Sequence, residues 1–362
     1  MKTNKNSTSE MPVRKVSFGI DIGKENFVVT SGVLYDDFSR NLKDMKSFPN
    51  TKSGADRFIK QAGTYLKRLN LSADAMIWFV MEATGIYNEC LAHRLYKEGF
   101  QVHIALANKM KNFSRTLSNK SKNDKLDSQA ICQYGLEKEL EKWEPLPAEN
   151  KRLKDLVRAL INTKDKLASV KTEMEAKKHC YKADPYTMEI LKQQKRFLEK
   201  QIKKIREKIN NTVDNIPEMK QKINKITNNF SGVCSQTVII ILAETNNFKN
   251  VSSRKQLTSY AGLDIIQNQS GMYNGKARIS KKGNNIIRRA LYMPAISAIH
   301  HNKRMKNLFE RVYERHGRIS KKIGIVSVMR KILLIVYALW KNDSEYDINY
   351  LSQPNMSCKC SA

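Results

Sequence analysis

Acidic and chain-breaking residues are scarce, and cysteines are few and scattered. Of 362 residues only 35 are Asp or Glu, against 65 Lys or Arg, which leaves a formal charge of +30. Such an excess repels itself in the free protein, so a partner of opposite sign is expected. Nucleic acid leads, because each neutralised phosphate releases condensed counterion. A membrane surface fits less well, since the basic residues spread along the whole chain and do not gather on one amphipathic helix. With 8 Pro and 15 Gly the chain is not mostly disordered, and 41% hydrophobic content supports real cores in about two domains. No run of 18 apolar residues occurs, so no transmembrane span is expected, and the polar start MKTNKNSTSEMPVRK lacks a signal-peptide core. Six cysteines (Cys90, Cys132, Cys180, Cys234, Cys358, Cys360) are scattered without a Cys-x-x-Cys pair, which fits reduced thiols in a cytoplasmic setting. Cys358-Lys359-Cys360 reads as a frayed end, and His300-His301 lacks the partners of a zinc site.

Taken in order, residues 1–13 read as a disordered lead-in. Val16, Phe18 and Ile20 alternate on one face of a strand, and a turn leads to a second strand through Phe27-Val28-Val29. Asn41 to Phe48 reads as a third strand, and Ser53 to Leu69 as a helix. AMIWFVME, ending at Glu82, reads as a strand buried on both faces. A helix is expected from Thr84-Gly85 to Gly99, then a strand from Gln101 to Leu106. This order makes residues 14–148 an α/β domain with a mixed sheet. From Leu153 to Met174, and again from Leu191 to Ile216, apolar residues follow a 3-4 rhythm. That is a coiled-coil hairpin over 149–216, either an intramolecular arm or an oligomer contact. Residues 217–343 read as mainly helical, with helices at 232–244, 284–299, 305–315 and an apolar core helix at 323–340; a loose tail covers 344–362. The fold class is therefore α/β plus all-α.

Four carboxylates stand where chemistry is plausible. Asp21 closes the first strand, where Asp is a poor strand former. Glu82 closes the central strand, and Asp124 and Asp127 share one face at the front of a helix. Ordinary readings exist: a turn bond for Asp21, dipole partners for the helix pair. Four acids together would raise one another's pKa unless a cation is present, and hard oxygen donors suit Mg²⁺ or Mn²⁺.

The second concentration is YAGLDIIQNQSGMYNGKARISKKGNNIIRRALY, from Tyr260 to Tyr292. Ser270-Gly271 lies in a polar, turn-rich loop. Lys276, Arg278, Lys281, Lys282, Arg288 and Arg289 follow, and no Asp or Glu occurs between Asp264 and Glu310. A hydroxyl on so positive a surface is placed to meet a polyanion, while a plain basic loop with Ser270 as turn chemistry is the simpler reading.

GIDIGKENF, MEATGIYNECLAHRLYKEGFQVHIALANKMKNF and KSKNDKLDSQAI resemble the RuvC-like (RNase H-like) DEDD domain of insertion-sequence transposases of the IS one-ten family. YAGLDIIQNQSG, ISKKGNNIIRRALYMPAISAIHHN and VSVMRKILLIVYAL resemble that family's C-terminal transposase domain. The resemblance spans nearly the whole chain after the first dozen residues. It implies that Asp21, Glu82, Asp124 and Asp127 bind metal, and that Ser270 in Gln269-Ser270-Gly271 is the catalytic serine. It also implies a recombinase guided by a non-coding bridge RNA, working on DNA as a homo-oligomer, dimer or tetramer, in the prokaryotic cytosol or nucleoid. Gly23-Lys24, Ala107-Asn108-Lys109 and Ser231-Gly232-Val233 depart from the family's usual residues; the last puts the DNA contact of a hairpin there in doubt.

On that reading Ser270 attacks a backbone phosphate, metal at the four acids activates it, and the basic cluster holds phosphates. Ser280 is the nearest alternative nucleophile, in a setting like a helix start. Two rivals remain: a RuvC-like nuclease or junction resolvase using water, and a non-enzymatic RNA- or DNA-binding protein.

Overall fold

The computed structural model describes residues 11–83, 85–117, 123–249, 251–267, 269–270, 273–274 and 278–347. Lead-in residues 1–10, Thr84, Gly271, Lys276 and the tail from 348, with Cys358 and Cys360, lie outside the described residues. The chain forms two compact units, Met1–Pro145 and Leu146–Ala362.

In the first unit, β1 (Val13–Ile22), β2 (Asn26–Tyr35), β3 (Arg40–Asp44), β4 (Phe48–Pro49), α1 (Lys52–Leu66), β5 (Leu71–Glu82), α2 (Glu89–Lys97), β6 (Gln101–Ala105), α3 (Ala107–Ser114) and α4 (Asp124–Glu137) follow one another. The sheet order is β3-β2-β1-β5-β6, with β4 on β2. β1 pairs antiparallel with β2 and parallel with β5, and β5 pairs parallel with β6. This is the mixed sheet the sequence indicates.

Alternation sorts β1 onto two faces. Val16, Phe18, Ile20 and Ile22 join Phe27, Phe58, Phe79 and Leu91 in one core. Within it Phe18 stacks on Phe79 with ring centres 4.7 Å apart and meets Phe58 edge-on. Lys15, Ser17, Gly19 and Asp21 occupy the opposite face, which α4 covers. Trp78 and Val80 of β5 pack there with Ile131 and Tyr134 of α4.

Local boundaries differ from the sequence reading in several places. The third strand is two short ones, β3 and β4. Both pair with β2 at separate registers, and the first has every residue exposed. Helix α1 starts earlier, because Thr51 caps it by accepting from the Gly54 amide at 3.2 Å. Helix α2 starts later, at Glu89, after a turn over 85–88.

The second unit holds α5 (Ala148–Lys178), α6 (Pro185–Asp214), α7 (Pro217–Asn228), α8 (Ser235–Thr245) and α9 (Arg254–Tyr260). Then come β7 (Ile265–Ile266), β8 (Gln269–Ser270), β9 (Tyr273–Asn274), β10 (Arg278–Ile279), α10 (Asn285–His301), α11 (Lys303–Arg315) and α12 (Lys321–Asn342). Helices α5 and α6 form the hairpin, with Lys171 and Glu199 paired across it at 3.7 Å. The half nearer the core joins the main core of this unit through Leu153, Val157, Leu160, Ile202, Ile209 and Val213, and Leu191 is buried nearer the turn. Tyr181 and Tyr186 near the turn are exposed. Sequence reading missed α7 and started α8 too early. The chain passes Gly232 at φ +94 before α8 begins at Ser235. Helix α12 is long and apolar enough to cross a membrane by length and composition. Its Val328, Ile332, Leu333 and Val336 are nonetheless buried in the core of this unit.

Candidate active site

The register of the first sheet assembles the acids. Ile20 pairs with Met81. One residue further along both parallel strands stand Asp21 and Glu82, side by side on the face that α4 covers. Asn123 starts α4, its Oδ1 accepting from the Leu126 amide at 2.8 Å, which puts Asp124 and Asp127 in the first turn. That turn is pinned from two sides. The Ser128 and Thr30 hydroxyls are 2.8 Å apart, and Asp44 receives Lys125 at 2.7 Å and Gln129 at 2.8 Å. At the other end of α4 the buried Lys15 ammonium donates to the carbonyls of Leu136 (3.3 Å) and Lys138 (2.9 Å), as a cation suits a helix C-terminus.

Asp21 responds to this company. Burial, then Asp127, Asp124 and Glu82 in that order, push its pKa up to about 6. All four sequence-selected acids therefore share one electrostatic site. They share a field and not a finished cage: among the described residues no group of three His, Cys, Asp or Glu side chains is close enough to hold a metal ion. Two asparagines that sequence reading passed over serve this region. Asn88 donates to the Glu82 carbonyl at 3.4 Å, and Asn50 to the Gly23 and Tyr87 carbonyls at 3.0 and 3.1 Å. An Asn before a helix carries no more sequence signal than an ordinary cap.

Ser270 belongs to the second unit. The expected loop holds two short antiparallel pairings, together called the ribbon below. Asn284 donates its amide to the Tyr260 carbonyl at 2.7 Å, Lys281 to Gly262 at 3.2 Å and Ser280 to Asp264 at 2.9 Å. Above these rungs Ile265 pairs with Ile279 and Ile266 with Arg278. Then Gln269 pairs with Asn274 and Ser270 with Tyr273. Ser270 is exposed at the far end. The base is tight: Gly262 has φ +66, and a Cβ there would lie 2.5 Å from an Arg288 guanidinium nitrogen.

The basic residues divide by role. Arg278, Lys281 and Lys282 are exposed. Lys276 is outside the described residues. Arg288 clamps the ribbon base, donating to the Ala261 (2.8 Å) and Gly283 (3.1 Å) carbonyls. Arg289 makes a two-point ion pair with Asp165 of α5. Ser280 does not start a helix. It follows β10 with its hydroxyl bonded to Asp264, which ties it into the base.

Two features were illegible in the sequence. Glu244 of α8, 2% exposed, accepts from Arg158 at 2.8 and 3.0 Å and from Asn284 at 2.7 Å. Burial pushes its pKa up, but the Arg158 and Asn284 hydrogen bonds and the charges of Arg158 and Lys154 outweigh that and hold it below the usual range. Elsewhere, α9 and α11 pack on α12. Burial, then Arg304, Arg254 and Arg311, lower the Lys331 pKa there. Helices α9 and α12 contain no acid, while α11 carries Glu310 and Glu314, paired with Lys306 and Arg318.

Known proteins match at both ends. A model of the Transposase IS116/IS110/IS902 family matches residues 224–310, and a DEDD-type IS110 transposase model matches residues 18–177. The chain is 26% identical to the pilin gene-inverting protein of Moraxella lacunata and 27% to that of Moraxella bovis. Each match runs over 334 residues, 92% of this chain and 98% of the relative. Among solved structures, RuvC of Thermus thermophilus aligns with 35% of this chain and 99% of its own, at 12% identity and a TM-score of 0.26.

Proposed function

The chain belongs to the IS116/IS110/IS902 family of transposases and is a DNA recombinase; from that premise we propose that it excises and inserts its own element through a covalent link between Ser270 and DNA. The observation that carries this reading is the electrostatic coupling of Asp21 on β1 to Glu82 on β5 and to Asp124 and Asp127 on α4, in a protein of net charge +30. An acidic centre in so basic a chain is suited to a cation-dependent reaction of a polyanion.

The fit to a divalent cation rests on charge. Asp21 is raised to about 6 by burial and by three acids. Oxygen donors of this kind would hold Mg²⁺ or Mn²⁺. Once bound, such an ion supplies charge stabilisation at phosphate and lowers the pKa of a hydroxyl. The chain's own residues do the rest. Ser270 offers an exposed hydroxyl at the end of a ribbon, beyond the hydrogen-bonded base. Arg278, Lys281 and Lys282, together with Lys276, would hold phosphates near it. The cluster of Arg254, Arg304, Arg311 and Lys331 adds a further cationic surface for the backbone.

In the covalent step the serine oxygen forms an ester to phosphorus as the bond from phosphorus to the DNA oxygen breaks, and the hydroxyl proton passes through solvent to that oxygen, which leaves as a free DNA hydroxyl. Attack by an oxygen of a new strand reverses the exchange, so no external energy source is required. Partner choice through pairing with an element-encoded RNA, and a homo-oligomeric assembly, complete the proposal. The full-length match to pilin gene-inverting proteins favours a second outcome of the same chemistry, inversion of a segment between two sites.

The test is formation of a circular excision junction in cells carrying the native locus, with the unmodified protein, Ser270→Ala or Asp124→Ala. Circles that need both residues are expected. Circles that survive Ser270→Ala would rule out the serine and leave water as the attacker. No circles from any version, with the protein well expressed and carrying RNA, would favour a binding protein.

A further inference from the structure

We propose that Glu244 is a positioning residue for Ser270: it holds both feet of the serine ribbon and thereby sets where the hydroxyl points. The proposal rests on the reading of Ser270 as the nucleophile.

A carboxylate buried this deeply loses its hydration and is tolerated only when fully paired, and an apolar side chain often serves stability as well. What Glu244 adds is geometry. Its side chain takes two hydrogen bonds from Arg158 of α5 and one from Asn284. Its main-chain carbonyl takes the Tyr260 hydroxyl at 2.8 Å. Tyr260 is the residue from which the chain leaves for the ribbon, and Asn284 the one at which it returns. Their backbones are joined by the 2.7 Å bond at the base. Asn284 also caps α10, accepting from Ile286 at 2.9 Å and Ile287 at 3.2 Å. Through its carboxylate Glu244 ties the start of α10 to α5, and through its main-chain carbonyl it also holds the end of α9.

Beyond the base, each described strand of the ribbon pairs only with its partner. A short two-stranded pairing is marginal by itself, so a firm base helps to set its direction. The stalk reinforces them. Arg158 and Asp165 are seven residues apart and share a face of α5; the first grips Glu244 and the second grips Arg289 in the second turn of α10. The lever runs from α5 through Glu244 to the ribbon, a path that uses no residue of the acid site.

The experiment follows amide exchange in the full-length protein, beside the excision assay. Glu244→Gln leaves Arg158 half paired. Losing one charge-assisted hydrogen bond is expected to speed exchange of the amides at 262, 280, 281 and 284 by roughly tenfold or more, with α12 unchanged. Tyr260→Phe removes only the hydroxyl and is expected to give a smaller change in the same direction, should Glu244→Gln fail to fold. The decisive variant is Arg158→Met with Glu244→Leu. It replaces both charges with apolar groups, so stability should return while ribbon protection and excision stay lost. Recovery of all three together would overturn the proposal, since Glu244 would then be structural only. Excision that persists in Ser270→Ala, with ribbon exchange still fast in Glu244→Gln, would remove the nucleophile reading and leave the anchor standing.

Discussion

Gly19 of β1 lies against the backbone of Cys132 in α4: a Cβ on Gly19 would come within 2.1 Å of the Cys132 amide nitrogen and 2.3 Å of the Ser128 carbonyl. This contact lets α4 settle low on the sheet, two residues from Asp21 and one residue from Asp127. The Cys132 thiol donates to the Ser17 carbonyl at 3.2 Å on the same face, and burial pushes its pKa up to about 12. Helix, strand and acid site are therefore one packing problem.

Gly19→Ala should lift α4 off the sheet. The obstacle is backbone and cannot rotate away, so a loss of about 3 kcal/mol or more is expected. A urea melt measures it. In parallel, Cys132 should become reactive toward a thiol probe; unchanged stability with a protected thiol would show that the contact is not tight.

Asp21 predicts an inverted pH response. Its folded pKa, about 6, lies above the ordinary value of 3.8, so folding favours the protonated form. Its favourable contribution is complete below the ordinary value and disappears as pH rises through 6. Asp21→Asn should therefore stabilise the metal-free protein at pH 7 by up to about 3 kcal/mol and have little effect at pH 3. Melting midpoints at the two pH values decide it. Millimolar Mg²⁺ is expected to narrow the gap at pH 7 by stabilising only the unmodified protein.

Ser280→Ala is expected to leave excision circles intact. Its hydroxyl is committed to Asp264, so the change should cost about 1 kcal/mol of stability and no chemistry. Loss of circles with a stable fold would instead transfer the nucleophile's role to Ser280.

Replacing Arg254, Arg304 and Arg311 together by Gln should raise the Lys331 pKa, because their charges now depress it. Affinity for DNA should fall by a similar factor for all sequences. The slope of log affinity against log salt should drop by about 1 to 3. A filter-binding titration across salt concentrations reports both, and an unchanged slope would mean that these cations do not meet phosphate.

Much of this molecule is set locally. Alternation in β1 places Val16, Phe18 and Ile20 on one face whatever lies opposite them. The apolar run of β5 demands cover on both sides, and the i, i+3 spacing of Asp124 and Asp127 makes them neighbours on any helix. Glu82 and Asp21 follow because each ends an apolar run where an acid is out of place. These features depend on backbone period and burial preference, which a few neighbouring residues carry.

Partner choice is different. Arg289 reads as a phosphate contact beside Arg288, yet Asp165, 124 positions away, neutralises it. Arg288 turns inward onto two carbonyls of the ribbon base. Glu244 lies in an apolar stretch that reads only as a buried helix, and its importance appears once Arg158 and Asn284 arrive from 86 and 40 positions away. Ribbon and loop have the same polar composition, and only cross-strand hydrogen bonds distinguish them. Charge and hydroxyl groups are satisfied by whatever reaches them within about 3 Å, and that distance is decided by the packing of the whole unit and not by sequence neighbours.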